Sequence, residues 1–502
     1  MVNNKQFVIA KKSYAVDGFI TIDLMDGYVL SYQKNLKVYL SKGNFQGVLI
    51  GMVWQCDEKR KTPFEELDRL THKDKIEVND VYEMEKTWCG RYVLIVGNTI
   101  YLDATGLLGI FYVNDVLSSS YAILCDIVGI KDKYPDKTFG IGMCYQPGTL
   151  TMHMSIKRLL PTQVYDFAEK KLSYRNLISD NEIFDYCSEQ SMDIFIQHFK
   201  TALLNMQKAV DGDLWLSLTG GHDSRTLMAL MEYAGFKYNC FTLDVSNLTS
   251  GDRDLPKLLA KQQKHPYSFI KRSFRNFSAR RLKEYVLHSN GFAKDEDIWS
   301  YTFGQYQKLT ESNKEVVILR GGLWEVCRKF FREYADEKDS LNIDLMKKTC
   351  PRLAEDRRAV ISLLSYLEYI KKHKEKYIDE IDRFYWEIRV GCWLSSIEQS
   401  CDIMDHITFL QPCNSRVLLA LLCALAKEEK EPWKKKHQEK IIEKCCPELL
   451  RIDFENKPDD KQTFMRKMYI RVFNYLKWLY LYGFKGVFVT LDAAIKNKFT
   501  KE

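Results

Sequence analysis

Apolar positions change their spacing once along this chain, near residue 175. From about Val8 to Phe167 they fall in short runs broken by turn residues: GVLIGMVWQC, GRYVLIVGNTIYLD, GIFYVND, SSSYAILCDI and PGTLTMHMSI. Such runs predict strands, and hence a β-dominated N-terminal unit. Beyond it, Ile183, Phe184, Cys187, Ile194, Phe195, Phe199, Leu203 and Met206 approximate a 3.6-residue stripe, which predicts a helix. Residues 214–218 then read as a strand, 224–234 as a helix capped by Gly235, and YNCFTLD from Tyr238 as a second strand. Strand, helix and strand in that order predict a parallel, right-handed unit. EVVILRGG reads as a further buried strand ending in glycines, and from about Leu341 the pattern is mainly helical. The lysine-rich stretches KKHKEK and KEEKEPWKKKHQEK read as solvated helix faces. The segment FMRKMYIRVFNYLKWLYLYGFKGVFV reads as core or domain packing, with a membrane surface as the lesser alternative.

Composition narrows the class. The chain has 502 residues, 46% hydrophobic and 28% charged, the balance of a globular protein with a proper core. Its net charge of +7 is small against 74 basic and 67 acidic residues, so it suits anionic small molecules and is no nucleic-acid signature. No segment has signal-peptide or membrane-spanning character, so a cytoplasmic location without stable membrane insertion is expected. The 14 cysteines include no C-x-x-C pair and are expected to be buried thiols.

One stretch carries chemistry. In TGGHDSR, residues 219–225, a glycine loop follows a strand and opens a helix, the edge of a parallel sheet where ligands bind. Gly220 and Gly221 let the backbone approach an anion, the first helical N–H groups have no internal partner, and the helix dipole favours negative charge. Thr219 and Ser224 add hydroxyls, and Asp223 makes sense as a ligand for a magnesium ion neutralising phosphates. The loop has no G-K-[ST] ending, and it is neither G-x-G-x-x-G nor G-x-S-x-G. Taken alone, it is as readily a glycine turn capped by Asp223 or Ser224.

The loop resembles the S-G-G-x-D-S pyrophosphate loop of the PP-loop ATP pyrophosphatases, with Thr219 for the first serine. The chain as a whole looks like a divergent asparagine synthetase of the glutamine-dependent type, a family that includes β-lactam synthetases and lasso-peptide cyclases. CGRYVLI, LDATGLLGIFY, SSSYAIL, QPGTL with IKRLLP, VVILRGGLWEVCR, PCNSRVLLALL and PELLRIDFENK resemble successive stretches of that family in the right order. The resemblance implies an α/β fold class: an amidotransferase-like β-sandwich over residues 1–175 and a PP-loop parallel α/β domain with added helices over 176–502.

Two departures bear on function. Glutamine-hydrolysing members carry a cysteine directly after the initiator methionine, whereas here Val2 stands there and no cysteine precedes Cys56. The amidotransferase-like half therefore lacks its nucleophile. The family's acidic pair after the later glycine is Trp324 and Glu325 here, with one residue fewer. The resemblance implies an ATP-dependent amide ligase: a carboxylate attacks ATP to give an acyl-adenylate and pyrophosphate, and ammonia or an amine then displaces AMP. Thr219, Gly220, Gly221, Asp223 and Ser224 would hold ATP, Asp223 would hold Mg2+, and Lys457 and Glu325 would be catalytic. Lys457 could equally be one of many solvated lysines, and Glu325 a helix-start acid. Arg383, Glu387, Arg389 and Trp393 in DRFYWEIRVGCW read as a buried ion-paired helix, with a substrate-facing role as the alternative. One of Glu398, Asp402 and Asp405 could orient the amine. Amidation of a uronic acid for surface polysaccharide is the preferred expectation. Peptide or metabolite cyclisation is an alternative, and a non-catalytic ATP-binding protein is another. No nucleic-acid partner is expected, and a homodimer is compatible with the sequence.

Overall fold

The computed structural model describes residues 5–14, 18–41, 43–131, 147–151, 153–179, 182–245, 248–271, 304–310, 314–327, 330–334, 340–349, 357–402, 404–430 and 434–454. Lys457 and the aromatic–basic segment after it lie outside them.

Twelve strands build two antiparallel sheets. They are β1 (Phe7–Ala10), β2 (Phe19–Asp23), β3 (Val29–Gln33), β4 (Val38–Leu40), β5 (Gly47–Gln55), β6 (Trp88–Val96), β7 (Thr99–Leu102), β8 (Phe111–Val113), β9 (Val116–Ser118), β10 (Lys157–Arg158), β11 (Gln163–Asp166) and β12 (Lys171–Tyr174). One sheet runs β10-β8-β9-β1-β3-β2 and the other β12-β11-β7-β6-β5-β4. Phe7, Ile9 and Leu30 from the first meet Val48, Ile50, Val93 and Ile95 from the second in a shared core. Two helices, α1 (Pro63–Thr71) and α2 (Val78–Glu85), cover the outer face of the second sheet through Leu67, Leu70 and Val81. A third, α3 (Tyr121–Ile127), sets Ile123 against Val8 and Ala10 of the first. The result is a four-layer helix, sheet, sheet, helix sandwich.

Three local expectations change here. SSSYAILCDI is mostly helix α3, because Ser120 caps the Ile123 N–H and the apolar run after it is buried on every side, which removes any alternation. PGTLTMHMSI forms no strand among its described residues and only leads into β10. Helix α1 falls in the stretch read as strands, although Thr62 and Glu65 form a reciprocal capping box with Pro63 in the first turn.

The second architecture is a five-stranded, wholly parallel sheet of order β15-β14-β13-β16-β17. Its strands are β13 (Asp213–Ser217), β14 (Asn239–Leu243), β15 (Tyr267–Ile270), β16 (Val316–Leu319) and β17 (Ile407–Leu410). The long α4 (Ser188–Ala209) precedes it, α5 (His222–Tyr233) joins β13 to β14, and α6 (Ser250–Gln262) joins β14 to β15. Helices α7 (Ile343–Thr349), α8 (Arg357–Lys372) and α9 (Glu380–Phe384) follow β16. A π-helix over Tyr385–Leu394 then runs into α10 (Ser395–Cys401), and α11 (Arg416–Cys423), α12 (Lys436–Cys445) and a 3-10 turn over Pro447–Arg451 follow. Strand β17, which completes the sheet, was hidden in a stretch read as helical. Among the described residues no helix is long and apolar enough to cross a membrane.

A buried polar seam joins the sandwich to the helices around the parallel sheet. Arg91 on β6 makes a bidentate ion pair with Asp402, at 2.8 and 2.7 Å, both buried. Glu85 accepts from Arg175 at 2.5 Å, Arg416 at 2.9 Å and the Tyr92 hydroxyl at 2.9 Å. Asn414 donates to Asp103 at 2.9 Å and to the Gly90 carbonyl at 2.6 Å. Gly90 has φ +130°, and a Cβ there would lie 2.1 Å from the Met52 carbonyl oxygen, so no other residue fits that bend of β6. Arg158 reaches Ser396 at 2.7 Å and the carbonyls of Gly391 and Cys392 on the π-helix.

Charges so deeply buried are costly to orphan. Arg91→Met should destabilise the protein by about 3–5 kcal/mol in chemical denaturation, because Asp402 is left buried and unpaired. Adding Asp402→Leu should recover most of that loss, and a single variant as stable as the parent would contradict the assignment.

Candidate functional site

The chain runs outward from β13 to β14 and β15 on one side, then returns to β16 and β17 on the other. The loops leaving β13 and β16 therefore diverge at their C-terminal ends, opening a crevice at the point where strand order reverses. The segment 218–221 lies at one lip and the segment 320–323 at the other.

The glycine loop is internally braced. The Thr219 N–H donates to Ser224 Oγ at 3.0 Å, the two hydroxyls lie 3.0 Å apart, and the Gly221 N–H approaches Thr219 Oγ1 at 3.3 Å. Gly221 is the N-cap of α5 and supplies no side chain to it, so the first-turn N–H groups have no helical partner. The Gly220 N–H donates to Asp252 Oδ1 at 2.8 Å, from the first turn of α6. A carboxylate thus already takes one of the donors expected for phosphate. Thr219 is exposed, Gly221, His222 and Asp223 are half-buried, and Ser224 is buried.

The facing lip is built by close backbone contact. A Cβ on Gly321 would lie 2.4 Å from the Asp223 carbonyl oxygen, which is why EVVILRGG ends in glycine. Leu323 follows at φ +74° and turns the chain into a single 3-10 turn, Trp324–Val326, carrying a half-buried Glu325. The neighbouring Trp324 is core: its ring packs against Phe195 and Phe199 of α4 and is 1% exposed. Behind this lip Arg320 pairs with Glu398 at 2.9 Å, and Gln411 donates to the same carboxylate at 3.1 Å. Glu398 and Asp402 are therefore both engaged by arginines, and Asp405 is exposed beside a cleft of about 350 Å3 lined by Lys5, Arg91, His406 and Phe409.

His222 and Arg225 anchor the loop. Arg225 is fully buried, and its guanidinium donates to the carbonyls of Gly220, Leu449, Ile452 and Asp453. It therefore ties PELLRIDF to the loop. Burial pulls this guanidinium down to about 10, which still leaves it charged near neutrality. With carbonyls as its partners, that charge adds to the helix dipole in favouring an anion at the loop. Phe454 stacks on His222 at 3.7 Å between ring centres and sits 3.9 Å from the Arg225 guanidinium. Burial also holds the His222 imidazole below its usual range, against the pull of Glu439 at 3.1 Å.

The structure thus brings Thr219, Gly220, Gly221, Asp223 and Ser224 together in one loop and sets the segment bearing Glu325 across from them. Sequence reasoning missed Asp252, and it missed Gln438, which is fully buried and donates to Asp223 Oδ1 at 2.8 Å. Gln438 lies in KEEKEPWKKKHQEK, read as a solvated face. The signal was the spacing of His437, Gln438, Ile441 and Ile442, all buried on one side of α12. Arg383 and Glu387 form a buried pair at 2.9 Å, and the Arg389 guanidinium stacks on Trp393, as a packed helix requires. Cys56 is also buried, 3.8 Å from the Ser415 hydroxyl.

Among the described residues no group of three or more His, Cys, Asp or Glu side chains could hold a metal by itself. A magnesium ion held mainly by phosphates and one or two carboxylates asks for less, and the Asp223 carboxylate at the start of α5 is of the right type for that donor set.

No family model and no curated protein matches the chain. Among solved structures, it is similar to the U34-tRNA thiolase NcsA from Methanococcus maripaludis with its [4Fe-4S] cluster, at 14% identity. That match covers 55% of this chain and 84% of the other with a TM-score of 0.21, too loose a superposition to carry an argument.

Gly321→Ala should push α5 off β16. The expected result is a loss of about 1–3 kcal/mol in chemical denaturation. Amide hydrogen exchange should also quicken over residues 219–226, with β5 and β6 unchanged. Parent-like exchange in the loop would contradict the close approach.

Proposed function

We propose that this protein is an ATP-dependent, AMP-forming amide ligase resembling asparagine synthetase, with the 219–225 loop as its pyrophosphate cradle. The observation that carries this reading is the loop's place: a glycine-rich strand-to-helix turn at the reversal point of a parallel sheet, backed by a charged, buried Arg225. In the reaction a carboxylate oxygen of the substrate attacks the α-phosphorus of ATP, breaking its bond to the bridging oxygen and releasing pyrophosphate. The amine nitrogen then attacks the acyl carbon, AMP leaves, and the nitrogen loses a proton.

The first-turn N–H groups of α5 and the hydroxyls of Thr219 and Ser224 would receive the pyrophosphate oxygens as charge builds on them. Asp223 would hold Mg2+, which when bound neutralises phosphate charge. Asp252 would have to yield the Gly220 N–H to phosphate or leave binding to the donors that follow it. Glu325, on the turn that follows β16, is the proposed second acid. Lys457 follows three positions after Phe454, which is stacked on His222, and is the proposed lysine for the acyl adduct. Ammonia or a small amine from solution is the proposed nitrogen source; Cys56 is buried and is not offered as a glutaminase nucleophile. A uronic acid of surface polysaccharide is the proposed acid, with peptide or β-lactam ring closure as the alternative; no nucleic acid takes part.

Two observations favour a second reading. The Gly220 N–H is held by a carboxylate and the first acid of the family's pair is a core tryptophan, both of which suit a protein that binds ATP without turnover.

Incubation with ATP, Mg2+, ammonium and a panel of uronic and amino acids should release AMP and pyrophosphate. Asp223→Asn should lower the rate by about 100-fold or more. Release of ADP and phosphate would overturn the mechanism. ATP binding with no AMP across the panel would favour the second reading.

A further inference from the structure

The cleft lined by Lys5 and Arg91 lies where the sandwich meets β17, an outer strand of the parallel sheet. The carbonyls of His406 and Leu410 accept from the N–H groups of Val316 and Arg320, so that of Ile407 points away from β16. Lys5 covers this edge: its Nζ donates to the Ile407 carbonyl oxygen at 2.9 Å and to Thr408 Oγ1 at 2.8 Å. Both partners are neutral, and an ammonium has three N–H groups. Among the described residues no carboxylate pairs with Lys5, so one donor and an uncancelled charge remain at the wall of the cleft. Burial lowers the Lys5 amine from its usual range against the pull of Asp402, the mark of an ammonium short of counter-charge.

The other inner charges are matched. Arg91 and Asp402 hold each other at two points, and His406 meets Glu315 at 2.8 Å. At the rim, Lys37 donates to the Ala209 carbonyl at 2.8 Å, and Asp211 and Asp405 are exposed to water. Between these groups the walls are apolar, with Leu36 and Leu108 from the sandwich and Val317 and Phe409 from the sheet. The volume of about 350 Å3 falls at the small end of the range of about 300–1,000 Å3 typical of small-molecule sites. A small monoanion with an apolar body matches both features. A phosphate dianion would bring more charge than one ammonium balances, and an amine would be repelled by Lys5.

We propose that this cleft binds a small monocarboxylic acid, with the carboxylate on the Lys5 ammonium and the hydrocarbon part against Leu108, Val317 and Phe409. Such a ligand touches the sandwich and the sheet together and so clamps one to the other. The site is independent of the reading of the glycine loop. Glu315 and His406, which line the cleft, precede β16 and β17, whereas the loop follows β13 at the other end of the sheet.

The test titrates the full chain by calorimetry with phenylacetate and hexanoate, and with phenylacetamide as the uncharged counterpart. Both acids should bind saturably and raise the thermal midpoint, and the amide should bind about 10-fold or more weakly. Lys5→Met should lower the affinity for both acids by about 10-fold or more and erase the preference over the amide, while Asp223→Asn should leave acid binding unchanged. Met52→Trp, which fills the cleft with Lys5 in place, should exclude acid and amide alike and serves if Lys5→Met folds poorly. Absence of saturable binding of either acid at millimolar concentration would overturn the proposal. So would equal affinity for acid and amide in the parent, or acid binding that survives either cleft substitution in a folded protein.

Discussion

The guanidinium of Arg225 sets the shape of the glycine loop. It is fully buried and spends its donors on four backbone carbonyls, one in the loop at Gly220 and three in the segment from Leu449 to Asp453. Carbonyls take its terminal N–H groups without cancelling its charge, while Nε is left buried without a partner, so the guanidinium charge sits beneath the start of α5, where the helix dipole already favours an anion. The same residue makes the loop depend on a segment more than two hundred residues downstream. Phe454, stacked between His222 and Arg225, completes that dependence.

Around this centre the loop is held by contacts from every side: Asp252 from α6, Gln438 and Glu439 from α12, and the Gly321 backbone from β16. Preorganisation of this kind is what electrostatic stabilisation of a leaving group requires, because donors already in place need no rearrangement as charge develops. The polar seam serves the same end at longer range. Asp103, Asn414, Arg416 and Glu85 lock the sandwich against the helices around the parallel sheet. The sandwich thereby has a mechanical task.

Much of this was legible in the sequence. The strand, loop and helix at 213–233 follow from period and glycine placement, and the parallel sheet follows from apolar strands alternating with helices. What escaped was set by tertiary context. A run such as SSSYAILCDI has no alternation to lose once every face is buried, so Ser120 as a cap decides for helix. Gln438 hid among lysines because a charged run says little about the one face that packs. Nothing local marks Arg225, and only the fold reveals that its partners include carbonyls of a distant segment. The acids at 398 and 402 looked available for an amine until Arg320 and Arg91 were seen to occupy them.

The central claim is that the turn from β13 into α5 receives the phosphates of ATP. A crystal structure of the full chain grown with ATP analogue and Mg2+ tests it most directly. The account expects phosphate oxygens on the N–H groups of residues 221–224, the ion on Asp223, and Gln438 still bonded to that carboxylate. A nucleotide seated elsewhere, for instance in the cleft lined by Lys5 and Arg91, with Gly220 still bonded to Asp252, would contradict it.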